Sequence, residues 1–331
     1  MPMLEQDFRY VFGPVLSGRL GRSLGLDLLG ARICSMNCVY CESGPLARLT
    51  VERAPYVPAE ALREELAAWE AQRKARGEPA PDAVTLGGLG EPTLNSDLPR
   101  IIADARAILP GVPVAVLTNA SLMTDPAVRE ELRRADIVLP SLDALRPEVF
   151  RRVNRGHPSL DSNAIADGIA AFKNGWEGKL YLEVLLVQGV NDSPGDLADL
   201  AVYCERLQPD RVDVTTLSRP GTEAWARAAT KETLDAWRSR LGSRPGRVPA
   251  GVARPVEKRQ ECTQGATPGQ TRARILASLA RRPQTPAQLS AALLVDGPEV
   301  ARILAELVAE GLVEPAPRQD ASGGGVFYQA R

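Results

Sequence analysis

Six short segments rich in Val, Leu and Ile alternate with amphipathic helical segments through the first 220 residues. A Gly/Pro/basic stretch then leads to three small helical segments and two terminal strand segments. These observations predict an α/β fold: a partial (β/α)6 TIM-type barrel followed by a small C-terminal winged-helix domain. Repeated strand–helix units imply a parallel sheet with right-handed crossovers. Six units are fewer than the eight of a closed barrel.

The first predicted strand is Ser23–Gly30, and Ala83–Leu86, Val112–Leu117, Asp136–Leu139, Lys179–Val187 and Arg211–Thr215 follow it. Each is short, apolar and bounded by Gly, Pro, Asn or Asp. Apolar residues at three- and four-residue spacing predict helices over Pro58–Gln72, Asp97–Leu109, Pro126–Arg134, Ser162–Phe172 and Pro194–Leu207. The barrel is assigned to residues 1–241, and residues 242–269 read as a linker wrapping it. Residues 270–331 form the winged-helix unit, with helices Thr271–Ala280, Thr285–Ala292 and Pro298–Glu310 and a hairpin within Leu312–Gln329. Thr285 before Pro286 is an N-cap followed by proline at the first helical position.

The chain has 331 residues, 40 basic and 41 acidic side chains and a formal charge of −1. With 44% hydrophobic residues there is material for a substantial core, which excludes wholesale disorder. A globally basic nucleic-acid binder is disfavoured, because neutralising phosphates needs an excess of Lys and Arg. No uninterrupted apolar run has bilayer length. The start MPMLEQDFRY lacks the basic-then-apolar layout of a secretory signal, so a cytoplasmic location with no membrane partner is expected.

Three of the five cysteines, Cys34, Cys38 and Cys41, fall within eight residues. An odd count with a tight trio points to metal or redox chemistry rather than a disulfide scaffold. Three thiolates on one loop can hold three irons of a cubane [4Fe–4S] cluster and leave a fourth iron open. Zinc is the alternative. It usually takes a fourth protein ligand or a His-containing set, and His157 is the single histidine.

Cys34-Ser-Met-Asn-Cys38-Val-Tyr-Cys41, a C-x3-C-x2-C pattern after the first strand, resembles the hallmark of the radical S-adenosylmethionine superfamily. The resemblance covers the first domain. It implies a [4Fe–4S] cluster whose open iron chelates S-adenosylmethionine and reduces it, giving a 5′-deoxyadenosyl radical that abstracts a substrate hydrogen. It further implies a reduced flavodoxin or ferredoxin-type electron donor. Tyr40 matches the aromatic position that lies by the adenine in relatives. Gly87-Gly88-Leu89-Gly90-Glu91-Pro92-Thr93-Leu94 looks like the glycine–glutamate motif that holds the cofactor's amino group, implicating Gly88, Gly90, Glu91 and Pro92. Taken alone, such a stretch is an ordinary strand-end turn. Asn119 after the third strand, and Ser141 and Asp143 after the fourth, resemble positions near the cofactor's ribose and carboxylate. Helix capping is the other reading of these short polar residues.

The stretch from Phe12 to Pro220 looks like iron–sulfur oxidoreductases related to wyosine-synthesising tRNA enzymes, in which similar segments flank the active site. Asn154, Arg155 and Asn191 are then substrate candidates, with His157 and Glu183 as catalytic candidates. His157 reads equally as a surface loop histidine, and Glu183 as a structural carboxylate. The tRNA enzymes carry extra cysteines upstream, whereas residues 1–33 contain none, which puts wyosine-type ring formation in doubt. Cys204 shares a helix face with Leu197, Leu200, Ala201 and Leu207 and reads as core. Cys262 is either an incidental thiol or a hydrogen donor or ligand at the site. The third C-terminal helix carries Glu299, Glu306 and Glu310 against Arg302, unlike a DNA-reading helix. The expected activity is a radical enzyme acting on RNA, a peptide or a small metabolite, with the winged helix capturing either macromolecule. The rival class is an iron–sulfur redox-sensing DNA-binding regulator.

Overall fold

The computed structural model describes residues 8–219, 221–242, 268–280, 283–293, 295–316 and 326–331. β1 (Val11–Ser17) and β2 (Gly21–Asp27) form an antiparallel hairpin. The loop after β2 contains a two-residue pairing of β3 (Ile33–Cys34) with β4 (Arg48–Leu49). α1 (Ala59–Ala75), β5 (Ala83–Gly87), α2 (Leu98–Ile108), β6 (Val114–Thr118), α3 (Pro126–Leu132) and β7 (Ile137–Pro140) come next. Then come α4 (Pro147–Val153), α5 (Ser162–Lys173), β8 (Lys179–Leu186), α6 (Pro194–Leu207), β9 (Arg211–Thr216) and α7 (Lys231–Leu241). The strand order is β1-β2-β5-β6-β7-β8-β9, parallel from β2 onward and unpaired between β9 and β1. This is the six-stranded partial barrel that the alternating pattern predicts.

The helix-facing side of the parallel strands is apolar throughout, as a sheet covered by helices requires, and the barrel interior is apolar at its N-terminal end. On the helix side lie Val84, Leu86, Val116, Val138 and Leu182, part of one continuous core. On the barrel interior Ala83, Ala115, Ile137, Leu139 and Tyr181 cluster around Leu20, which comes from the β1–β2 turn and plugs the N-terminal end of the barrel.

The differences from the predicted elements have local causes. β2 ends at Asp27 because its carboxylate accepts hydrogen bonds from the amides of Leu29 (3.2 Å) and Gly30 (3.3 Å), turning the chain toward the cysteines. β1 is hidden in the sequence by Gly13-Pro14, which reads as a turn. The irregular register between Phe12 and Val15 accommodates the proline in an edge strand. α7 buries only Trp237 and Leu241, too narrow an apolar stripe to stand out, although Thr230 caps its start and Gly242 ends it at φ +66°.

α8 (Pro268–Leu279), α9 (Pro286–Leu293) and α10 (Gly297–Ala309) enclose a second core built on Ile275, Leu289, Ile303 and Leu307. The antiparallel pair β10 (Val313–Ala316) and β11 (Phe327–Ala330) completes the winged helix. α8 and α9 lie against β1. Residues 243–267, which include Cys262 and nearly all of the predicted linker, lie outside the described residues. No helix among the described residues is long and apolar enough to cross a membrane.

Phe172 is fully buried on α5, its ring 4.5 Å from that of Trp176 and its face 5.5 Å from the Arg133 guanidinium. Phe172→Ala is expected to destabilise the protein by about 3–5 kcal/mol, from lost transfer energy plus the cavity left behind. A urea titration will show this as a lower unfolding midpoint with little change in slope.

Candidate functional site

The cysteine loop lies where the parallel strands end, the position at which α/β sheets gather ligands. Three segments hold it by its backbone. After α4, the Asn37 amide donates to the Asn154 carbonyl (3.0 Å), Val39 to Val153 (3.0 Å) and His157 to Ser35 (2.8 Å). After β9, the Glu223 amide donates to the Val39 carbonyl (3.1 Å) and the Thr222 hydroxyl to the Cys41 carbonyl (2.9 Å). After β5, the Glu91 amide donates to the Ile33 carbonyl (3.1 Å). Two glycines permit these approaches. A Cβ on Gly90 would fall 1.8 Å from the Ile33 oxygen, and one on Gly221 2.9 Å from the Tyr40 backbone.

Two buried carboxylates complete the frame. Glu91 Oε1 accepts from the Thr93 amide (3.1 Å) and the hydroxyls of Thr93 and Thr118 (2.6 Å each), and Oε2 from the Asn119 amide (2.6 Å). The Asn119 side chain then donates to Cys34 Sγ (3.5 Å) and Ser35 Oγ (2.9 Å). Asp143 Oδ2 accepts from the Tyr40 hydroxyl (2.5 Å) and from Asn154 Nδ2 (2.7 Å), whose amide nitrogen lies 3.5 Å from Cys38 Sγ. Asp143 Oδ1 accepts from the Leu185 amide (2.8 Å). Burial raises both carboxyls above their ordinary range, and hydrogen bonds to the charged form oppose it. Burial and the Asp143 charge raise the Tyr40 phenol.

Cys34, Cys38 and Cys41 are free thiols. Burial, with Glu91 adding to it, pushes Cys34 up to about 12, and burial with Asp143 raises Cys38 as well. Such thiols ionise on binding a cationic centre, which itself deprotonates its sulfur ligands. Among the described residues no three His, Cys, Asp or Glu side chains gather closely enough for a single metal ion. A cluster that places each thiolate on a different iron suits the loop better, and two asparagine amides already direct N–H groups at the Cys34 and Cys38 sulfurs.

The other candidate residues are spread around this frame. Gly88 sits at φ +109° against Asp27, and Pro92 opens a buried 3-10 turn capped by Glu91. The Ser141 amide donates to the Thr118 carbonyl (2.9 Å) at the end of β7. Asn154 and Asn191 are buried, and the Asn191 amide nitrogen donates to the carbonyls of Asp143 (2.9 Å) and Leu185 (2.8 Å). His157 Nδ1 lies 2.8 Å from Ser159 Oγ, at the outer edge of the loop. Arg155, at φ +46°, pairs with Glu223 (2.5 Å). Glu183 projects from β8 and pairs with Arg19 of the β1–β2 turn; Arg211 and Asp213 pair beside them (2.7 Å).

Arg19, Thr222 and Glu223 were not among the sequence candidates. They reach the site through tertiary contacts and lie in no local motif. On α10, Arg302 pairs with Glu306 (2.6 Å), and Glu310 pairs with Arg272 of α8, leaving no basic reading face.

Residues 28–201, more than half of the chain, match the radical SAM superfamily, and residues 267–321 match the MarR family. A UPF0026 protein of Helicobacter pylori is 37% identical over 225 residues, covering 66% of this chain and 70% of its own. A Brachyspira hyodysenteriae protein named GTPase Obg is 30% identical over 303 residues, which span 92% of this chain and 43% of that protein. A crystal structure of a radical SAM methyltransferase from Sphaerobacter thermophilus superposes with a TM-score of 0.52 at 18% identity, covering 66% of this chain and 63% of that one, a likeness of fold. The C-terminal unit is a MarR-like winged helix. The superfamily match runs through the cysteine loop, the β5 turn and the strand ends that frame them. On that ground the chain belongs to the radical SAM superfamily, which indicates an enzyme using S-adenosylmethionine and an iron–sulfur cluster.

Proposed function

We propose that Cys34, Cys38 and Cys41 hold a [4Fe–4S] cluster and that the protein cleaves S-adenosylmethionine reductively to abstract hydrogen from its substrate. The observation that carries this reading is the cysteine loop fixed at the strand ends with an asparagine amide directed at two of its three sulfurs. When bound, the cluster would supply one electron to the sulfonium of S-adenosylmethionine, breaking its bond to the 5′ carbon so that methionine leaves and the carbon is free to take a substrate hydrogen atom.

The chain's own residues bind, orient and shield. Gly88, Gly90, Glu91 and Pro92 form the turn that receives the cofactor's amino group. Glu91 also fixes the Asn119 backbone beside the cluster. Ser141 faces the ribose and carboxylate side, and Asp143 holds Tyr40 in place for the adenine. Arg155 faces the substrate with His157 at the edge of the loop, while the buried Asn154 and Asn191 brace the strand ends behind them. Glu183, paired with Arg19 inside the barrel, meets a polar group of the substrate. That substrate is an RNA, a peptide or a small metabolite, and the electron comes from a reduced flavodoxin or ferredoxin-type protein.

The MarR-like match favours a second reading, a cluster-sensing DNA-binding regulator. The acidic face of α10 weighs against it, because DNA-reading helices present cations and amides to phosphates and bases.

Anaerobic reconstitution with iron and sulfide, followed by reduction, is expected to yield 5′-deoxyadenosine from S-adenosylmethionine. Cys34→Ala, Cys38→Ala and Cys41→Ala should each abolish it. A folded protein that binds no iron, or cysteine variants with full product, would falsify the reading. Gly90→Ala should lower bound iron at least several-fold with circular dichroism preserved, since the new methyl overlaps the Ile33 carbonyl beside Cys34. Full iron loading in that variant would remove the role given to the β5 turn.

A further inference from the structure

The two segments that grip the outside of the cysteine loop also build a rim of cations around one exposed indole. Arg151 and Arg152 form the last turn of α4, and both are exposed. Arg152 Nη2 donates to the Gly189 carbonyl (3.3 Å). The neighbouring Gln188 amide donates to the carbonyl of Arg227 (3.0 Å), itself an exposed residue. Between these lie Arg155, paired with Glu223, and Trp225, whose Nε1 donates to the other oxygen of Glu223 (3.0 Å). Trp225 is 49% exposed, yet its ring is oriented by that bond. Most of the nearby carboxylates are engaged: Glu223 serves Arg155 and Trp225, and Asp192 accepts from the Gly189 amide (2.8 Å). Glu148, exposed one turn before Arg151 and Arg152 on α4, offsets part of their charge, so the rim keeps an excess of cations rather than a purely basic face. A chain of net charge −1 thus concentrates Arg151, Arg152, Arg155 and Arg227 on one rim.

The rim lies one hydrogen bond from the cysteines. Val39, between Cys38 and Cys41, donates to Val153 at the end of α4 and accepts from Glu223. We propose that this rim docks an acidic one-electron carrier protein, an inference that rests on the radical enzyme reading above. One electron leaves the carrier's reduced flavin or iron–sulfur centre, which is oxidised by one electron. It enters the cluster, which is reduced by one, and no bond forms in the step. Tryptophan and arginine are the residues that most often anchor protein interfaces. Electron-transfer encounters are small and weak, so opposite charge supplies much of their association rate. A basic rim beside the cysteine loop meets that need.

The experiment uses the reconstituted full chain and an acidic flavodoxin as probe, with Arg151→Glu/Arg152→Glu, Arg227→Glu and Trp225→Ala variants. Rates of 5′-deoxyadenosine formation are measured with reduced flavodoxin and, separately, with dithionite. Affinity for oxidised flavodoxin is measured by titration at low and high salt. In the variants the flavodoxin-driven rate and the flavodoxin affinity are expected to fall about tenfold at low salt, while the dithionite-driven rate is kept. Wild-type affinity should weaken as salt rises. Unchanged flavodoxin-driven rates and affinities in all the variants would overturn the proposal. Variants that keep flavodoxin binding but lose affinity for a single-stranded RNA oligonucleotide would overturn it too, and assign the rim to nucleic acid. A wild-type protein inactive with dithionite would refute the radical reading itself, and the flavodoxin titration would still decide the docking.

Discussion

Two buried carboxylates, each linked through an asparagine to a cysteine sulfur, set the geometry on which the rest of this structure depends. Glu91 fixes Asn119 by its backbone and Asn119 reaches Cys34; Asp143 holds the Asn154 amide, which also reaches Cys38. An unpaired carboxylate away from water is costly, and stays buried only when hydrogen bonds satisfy it. Glu91 has four such bonds and Asp143 three. Removing a donor leaves the buried carboxylate short of a bond, and removing the carboxylate strands all its donors, so each set acts as a unit.

The barrel makes these sets possible. Parallel strands bring residues distant in sequence to neighbouring strand ends, which is how Thr118 comes to meet Glu91 and how the β8 amide of Leu185 comes to meet Asp143. The opening between β9 and β1 leaves room for Arg19 to enter from the β1–β2 turn, while Leu20 closes the end beneath it. The interior is therefore apolar at its plugged end and charged farther in, with the cysteines at the mouth. Such a layout suits chemistry that must exclude bulk water from a reactive centre while holding a polar substrate.

Local chemistry was legible in the sequence, and its long-range partners were not. The cysteine spacing, the Gly-Gly-Leu-Gly-Glu-Pro turn and the six strands each leave a mark within a dozen residues. The links that orient them cross 85 residues from Cys34 to Asn119 and 116 from Cys38 to Asn154. Nothing near Asn154 or Asn191 distinguishes a buried amide, bonded to a carboxylate and a thiol in the one and to backbone in the other, from an exposed one facing a ligand. Both read as substrate candidates, yet they are 4% and 0% exposed. β1 escaped for a different reason, since a Gly-Pro step inside an edge strand has the composition of a turn.

The central claim is that three protein thiolates hold a cubane with one iron free to bind S-adenosylmethionine. Electron paramagnetic resonance of the reduced, reconstituted protein tests it most directly, with and without S-adenosylmethionine carrying a 15N-labelled amino group. The predicted result is a [4Fe–4S] signal that changes on addition and shows hyperfine coupling to the label. A signal that S-adenosylmethionine leaves unaltered, with no coupling, would mean that every iron is already ligated and would contradict the account.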